Sequence, residues 1–145
     1  FPTRRSSDLA EADPVGRELD RIEDLRVLHR FAIQALHDAR ALAVFLQGWG
    51  GPDRDPAVES LFVEAEGLYG RLRGIDHGGM ALQALHDADE LAPPSAAQLQ
   101  LVQRARRVVA AEVLDHYERC AALRTDLAGA VREAAQDQAT WTITD

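Results

Sequence analysis

The chain has 145 residues, a mass of 15.9 kDa and a formal net charge of −8 at pH 7. All sixteen basic residues are arginine, which excludes a Schiff-base lysine and a P-loop lysine. The excess of acidic residues has the wrong sign for a protein that binds a phosphate backbone, so we expect no nucleic-acid partner. The single cysteine, Cys120, excludes an intrachain disulfide and any multi-cysteine metal site.

Two further features limit what the sequence can be. No apolar run reaches the roughly 18 residues of a membrane span, so we expect a soluble, cytoplasmic domain without membrane insertion by this segment. Residues 1–9 match one reading frame of a common short-read sequencing adapter, and such a segment does not enter the reasoning about the fold. Leaving it out gives 14 basic and 23 acidic residues, a net charge of −9. We expect the natural chain to be truncated at or before Ala10.

The first predicted helix has clear start and stop signals. Asp13-Pro14 has the form of a cap followed by proline at the first helical position. Apolar residues then recur every three or four positions up to Leu46, which is the spacing of an amphipathic helix. This helix should end at residues 48–52, because three glycines and a proline there disfavour helical structure.

The second and third predicted helices are shorter. Asp55-Pro56 repeats the start signal, and the apolar stripe that follows predicts a second helix ending at Gly74. A turn at residues 76–79, which contains two glycines, would lead into a third helix over residues 80–91. Neither helix would match the first in length.

The fourth predicted helix is the longest. Pro93-Pro94 would separate it from the third helix. Ser95 with Gln98 has the capping-box form, and a nearly heptad apolar stripe continues to about Asp137. The predicted fold is therefore all-α, an up-down bundle of about four helices with long first and last helices that lie antiparallel. Residues 10–138 would form this single bundle domain, and residues 139–145 an irregular tail.

Four side chains form a candidate metal site. His86 and Glu90 are four residues apart, as are Glu112 and His116, so each pair lies on one face of a helix. Helical metalloproteins build their sites from facing side chains of this kind. An ion pair on the helix surface is the alternative interpretation of each pair, because the Glu-x-x-His spacing of ferritin-like di-iron sites does not occur in the sequence. The sequence predicts no bound cofactor.

No residue is assigned a catalytic role. Cys120 lies on the apolar stripe of the fourth helix, between Tyr117 and Leu123, where a free cysteine is ordinarily an unreactive small hydrophobic residue. His116 lies at the edge of the same stripe. We expect it to be partly buried with one hydrogen-bond partner.

The functional prediction comes from the end of the fourth helix. Leu123, Leu127 and Val131 form an apolar stripe that the shorter second and third helices cannot cover, and such a stripe usually binds a partner helix. We therefore expect a helical interaction or regulatory module without catalytic activity, with a homodimer or a protein partner joined at these three residues. The alternatives are a metal- or ligand-binding helical-bundle enzyme or sensor, and the ligand-binding part of a truncated transcriptional regulator.

Overall fold

A computed structural model describes residues 13–88 and 93–144, and in the last helix the side chains of residues 94–138. The described residues form three helices and no strand. The helices are α1 (Pro14–Gln47), α2 (Asp55–Asp87) and α3 (Pro93–Thr144). The predicted all-α class is confirmed, whereas the predicted count of about four helices is wrong.

Helix α1 begins and ends where the sequence predicts. Asp13 Oδ1 accepts a hydrogen bond of 2.9 Å from the backbone N–H of Gly16, which satisfies one of the free amides of the first turn. A Cβ atom at position 16 would lie only 2.5 Å from Asp13 Oδ2, so glycine makes room for this cap. After Gln47 the chain turns through Gly50, whose φ of 78° lies in the left-handed region that glycine adopts without strain.

Helix α2 continues through the glycines that were expected to end it, so the predicted stop at Gly74, the turn at residues 76–79 and the separate third helix are wrong. The reason is an apolar stripe that runs on past those glycines. Its buried members are Leu68, Leu72, Ile75 and Leu82. Burial of this stripe outweighs the cost of each glycine inside a helix, which is about 1 kcal/mol.

Two of these glycines lie in close contacts rather than in a turn. A Cβ atom at Gly78 would lie 2.9 Å from Val102 Cγ2, and one at Gly79 would lie 3.1 Å from Leu19 Cδ2. The missing side chains therefore let α2 approach α3 at one position and α1 at the next.

Helix α3 is longer than predicted at both ends. It begins at Pro93, so Ser95 lies inside its first turn instead of before it. It ends at Thr144, beyond the expected end near Asp137, and residues 139–144 continue the helix where the sequence predicted an irregular tail.

The chain divides into two compact units, and every helix contributes a part to each. Among the described residues, unit 1 comprises residues 13–28, 68–88 and 93–113, and unit 2 comprises residues 29–67 and 114–144. The core of unit 1 is one cluster of valine, leucine and isoleucine side chains from all three helices. The core of unit 2 is rich in alanine instead. Its fully or nearly fully buried alanines are Ala32, Ala35, Ala39, Ala43 and Ala65.

Contacts within unit 2 give the directions of its helices. His29 and Arg40 of α1 contact Ala65 and Glu59 of α2, so these two helices run antiparallel. Along α1 and α3, Ala32 clusters with Cys120 and Ala39 clusters with Leu127, so these two helices run parallel. The predicted antiparallel pairing of the first and last helices is wrong, because three helices in series return the third to the direction of the first.

Candidate functional site

Two of the predicted metal ligands lie in ordinary polar contacts of unit 1. His86 Nε2 lies 3.5 Å from Oδ1 of Asp13, the capping residue of α1. The Glu112 carboxylate accepts a hydrogen bond from Arg71 of α2. Neither contact is the ion pair within one helix that the sequence offered as the alternative to metal binding, because Asp13 caps α1 and Arg71 lies in α2.

The other two predicted ligands are placed differently. Glu90 lies outside the described residues, and His116 is fully buried in unit 2. Among residues 13–88 and 93–144, no three histidine, cysteine, aspartate or glutamate side chains are grouped so that they could hold a metal ion. The site of four residues stays a prediction.

The predicted interface residues are packed inside unit 2. Leu127 is fully buried in a cluster with alanines of α1 and Val58 of α2, and Leu123 and Val131 pack against that cluster. Helix α2 is a single helix of 33 residues instead of two short ones, which removes the expected shortage of covering surface. Because this stripe is covered within unit 2, it no longer supports a dimer through these residues. Self-association of the chain stays untested.

A polar cluster of His116, Cys120, Glu64 and Arg119 lies in unit 2, where sequence reasoning had placed only an isolated histidine and cysteine. His116 Nε2 lies 3.4 Å from Cys120 Sγ, and both side chains are fully buried. On the other side of the ring, His116 Nδ1 lies 3.7 Å from Glu64 Oε1, too far for a hydrogen bond, and no other described residue supplies it with a partner.

Charge pairing fixes the outer part of this cluster. Arg119 donates to both carboxylate oxygens of Glu64, with an Nη1 to Oε2 distance of 2.8 Å, and its Nε donates to Asp115 at 3.0 Å. The hydrogen bond from Arg119 holds the pKa of Glu64 below its usual range, and the same bond raises the pKa of Arg119. Glu64 therefore stays ionised beside the buried imidazole.

Cysteine, histidine and carboxylate in series are the arrangement that activates a catalytic thiol, but burial prevents that chemistry in this cluster. Burial raises the pKa of Cys120 to about 11, and loss of hydration lowers the pKa of His116. Both groups are neutral near pH 7, and neither is exposed to solvent. The cluster is a part of the core, in agreement with the unreactive cysteine that the sequence predicts.

Unit 1 has an apolar groove between α2 and α3, with a volume of about 670 Å³. Gly74 and Gly78 line it on α2. Leu101 and Val108 line it on α3, and these two side chains are 64% and 66% exposed. Large apolar side chains with this exposure, gathered beside a depression, are typical of a surface that binds something.

Gly74 lies at an open position along the groove. A Cβ atom at Gly74 would meet no atom of the described residues within 4 Å, whereas one turn further on, at Gly78, it would meet Val102. The two helices therefore touch at Gly78 and leave a gap at Gly74. A side chain from another molecule can enter that gap.

The edge of the groove is basic in an otherwise acidic chain. Residues 93–111 contain three arginines and no acidic residue. Arg106 pairs with the buried Glu18, and Arg71, which lines the groove, pairs with Glu112. Arg104 also lines the groove, and it has no ion-pair partner within the described part of the chain.

The sequence held a signal for this groove. Leu101 and Val108 are seven residues apart and each precedes a core residue, Val102 and Val109, so α3 has a second apolar stripe beside the first. A single core requires only a narrow apolar stripe on a helix. A wider stripe therefore points to an additional contact surface. The other wall of the groove, on α2, was not predicted, because glycines in a sequence are interpreted as turn residues.

Comparison with known proteins does not assign the chain to a family. No family model, no curated protein and no solved structure matches it. In the part of the chain that the structure describes, no helix has the length and apolarity needed to cross a membrane. The function must therefore be argued from the residues themselves.

Proposed function

We propose that this chain is a helical interaction module without catalytic activity, and that it binds a protein partner through the groove of unit 1. The observation that carries this proposal is the exposure of Leu101 and Val108 beside the gap at Gly74. Exposing such side chains to water is unfavourable by about 25 cal/mol per Å² of apolar surface, so burial against a partner supplies binding energy.

The nearest approach to a catalytic centre in the described residues supports a non-catalytic role. The Cys120 thiol, His116 and Glu64 are in series, yet the thiol is buried and its pKa is raised to about 11. A nucleophilic thiol needs the opposite, a lowered pKa and access to substrate.

The shape of the groove favours a helix of another protein over a small molecule. Its volume of about 670 Å³ falls within the range of small-molecule sites, but such sites enclose most of the ligand surface. Here the walls are two neighbouring helices whose side chains remain well exposed. A partner helix that lies along the groove covers both walls at once.

A peptide selection tests the proposal and does not require that the partner be identified first. A displayed library of random helical peptides is selected on the wild-type chain, and the selected peptides are then measured on Val108→Asp and Leu101→Asp. We expect peptides that bind the wild-type chain and lose at least about tenfold in affinity on either variant, because the introduced carboxylate must be desolvated in the complex.

The matched control is Val63→Asp, which places the same charge on an exposed valine of unit 2. Binding should be unchanged in this control. Peptides that bind the two groove variants and the wild-type chain equally would overturn the proposal.

A further inference from the structure

We infer that the partner of the groove is an amphipathic helix with an acidic polar face. This inference rests on the proposed function and adds the chemistry of the partner. It depends on three properties of the groove: its length, its open position at Gly74 and the charge along its edge.

The length of the groove fits three turns of a helix. On α3 its lining runs from Gln98 to Val109, which corresponds to about 16 Å along the helix axis. A partner helix with apolar residues at positions i, i+4, i+7 and i+11 has an apolar stripe of that length. One of its side chains can enter the gap at Gly74, where an added atom meets nothing within 4 Å.

The charge along the edge selects an acidic partner. Arg104 has no ion-pair partner among the described residues, and the segment of α3 around it has no carboxylate before Glu112. Carboxylates on the polar face of a docked helix would pair with Arg104 and would lie near Arg71, which already pairs with Glu112. Lysine or arginine at the same positions would meet like charges.

The same charges disfavour a second copy of this chain that docks groove to groove. A symmetric contact of that kind would bring Arg104 and Arg71 of both molecules into one interface, where like charges repel. An acidic helix from another protein avoids this repulsion. Its carboxylates also complement a basic edge that is unusual in a chain with a net charge of −8.

Three synthetic peptides test the inference. Each has about 18 residues, enough to form a helix on binding, with leucine on one face, and they differ only in glutamate, glutamine or lysine on the polar face. Fluorescence anisotropy measures their binding to the intact chain. We expect the glutamate peptide to bind about tenfold more tightly than the glutamine peptide, and the lysine peptide to bind most weakly. The advantage of glutamate should shrink in about 0.5 M salt.

Variants of the chain assign this preference to the groove. Arg104→Gln should weaken the glutamate peptide about threefold and leave the glutamine peptide unchanged. Arg132→Gln removes the same charge from an exposed position of unit 2 and should change neither. Gly74→Leu should weaken all three peptides, because it fills the gap. Since a Cβ atom has open space there, this variant remains usable if Val108→Asp fails to fold.

The possible failures are distinguishable. Equal binding of the glutamate and glutamine peptides, lost in Gly74→Leu, overturns the acidic partner and leaves the interaction module standing. If none of the three peptides binds while selection still finds groove-dependent peptides, the acidic partner is again overturned and the interaction module stands. Concentration-dependent dimerisation that Gly74→Leu abolishes assigns the groove to a second copy, and Gly74-dependent binding to phosphatidylglycerol vesicles assigns it to lipid. Either result overturns the inference.

Discussion

The two units fill their cores with side chains of different size. Unit 2 has alanine inside, at positions such as Ala35 and Ala39 of α1, which lets its helices approach each other closely. Unit 1 has large branched side chains inside, and its exposed Gly74 lines the groove between α2 and α3. Small residues therefore bring helices together in the core of unit 2, whereas in unit 1 a small residue lies at the wall of a groove.

The buried polar groups of the two units also differ. Unit 1 buries an ion pair, since Glu18 Oε2 accepts a hydrogen bond from Arg106, while Glu18 Oε1 has no hydrogen-bond partner among the described residues. Unit 2 buries neutral groups, the His116 imidazole and the Cys120 thiol. The stability of unit 1 should therefore depend on keeping a charge paired, and that of unit 2 on keeping an imidazole unprotonated.

The largest expected effect comes from breaking the buried ion pair of unit 1. Arg106→Ala leaves the Glu18 carboxylate buried without its cation and should lower the free energy of unfolding by about 3–5 kcal/mol. Chemical denaturation measures this change. The matched variant in unit 2 is Arg40→Ala, which breaks an exposed pair with Glu59 and should cost less than about 1 kcal/mol. Similar losses in the two variants would contradict the assigned burial of Glu18.

Truncation of Leu127 should have the next largest effect. Leu127→Ala leaves a cavity in the core of unit 2 and should cost about 2–5 kcal/mol. Leu101→Ala, in the groove of unit 1, should cost well under half of that, because the side chain is 64% exposed. If Leu127→Ala left the stability unchanged and altered only the oligomeric state, the residue would lie in an interface, as the sequence had predicted.

A pair of glycine substitutions one turn apart tests where α2 and α3 are in contact. Gly74→Ala should raise the free energy of unfolding by up to about 1 kcal/mol, because alanine favours a helix and its Cβ has open space. Gly78→Ala should raise the free energy of unfolding by less, or lower it, since its Cβ would lie 2.9 Å from Val102, a stiff β-branched side chain. Equal gains in both variants would show that α2 and α3 do not touch at Gly78.

The smallest expected effect is a pH dependence that originates in unit 2. Because burial lowers the pKa of His116 below its ordinary value of 6.5, the unfolded chain takes up a proton before the folded chain does. The free energy of unfolding should therefore fall as the pH drops below about 6.5, and this loss should be smaller in His116→Leu. Urea denaturation at pH 7.5 and at lower pH measures the slope. His77→Gln, at an exposed histidine of unit 1, is the control for removal of an imidazole elsewhere in the chain.

The sequence predicts the ends of elements best where capping groups act locally. The Asp13 cap and the glycine-rich end of α1 depend only on neighbouring residues, and both were predicted correctly. The glycines of α2 were misread because their role depends on Val102 and Leu19, which come from other helices. The turn wrongly predicted at residues 76–79 then led to errors in the predicted number of helices, the predicted length of α2 and the predicted direction of the last helix.

The same error displaced the predicted functional surface. With α2 cut at Gly74, the stripe at Leu127 had nothing to cover it, so it was taken for an interface. With α2 continuous, that stripe is core, and Leu101 and Val108 are among the apolar residues that stay exposed. Sequence periodicity identifies which residues are apolar on one face, but only packing decides which apolar face is left exposed.

The most direct test of the account is a map of the surface that the glutamate peptide contacts. Amide chemical shifts of the isotope-labelled chain are followed by NMR while the peptide is added. We predict that the shifts which change are concentrated at residues 71–78 and 98–109, the two walls of the groove. Changes concentrated instead at the exposed aromatic pair of Phe45 and Trp49 in unit 2 would contradict the account.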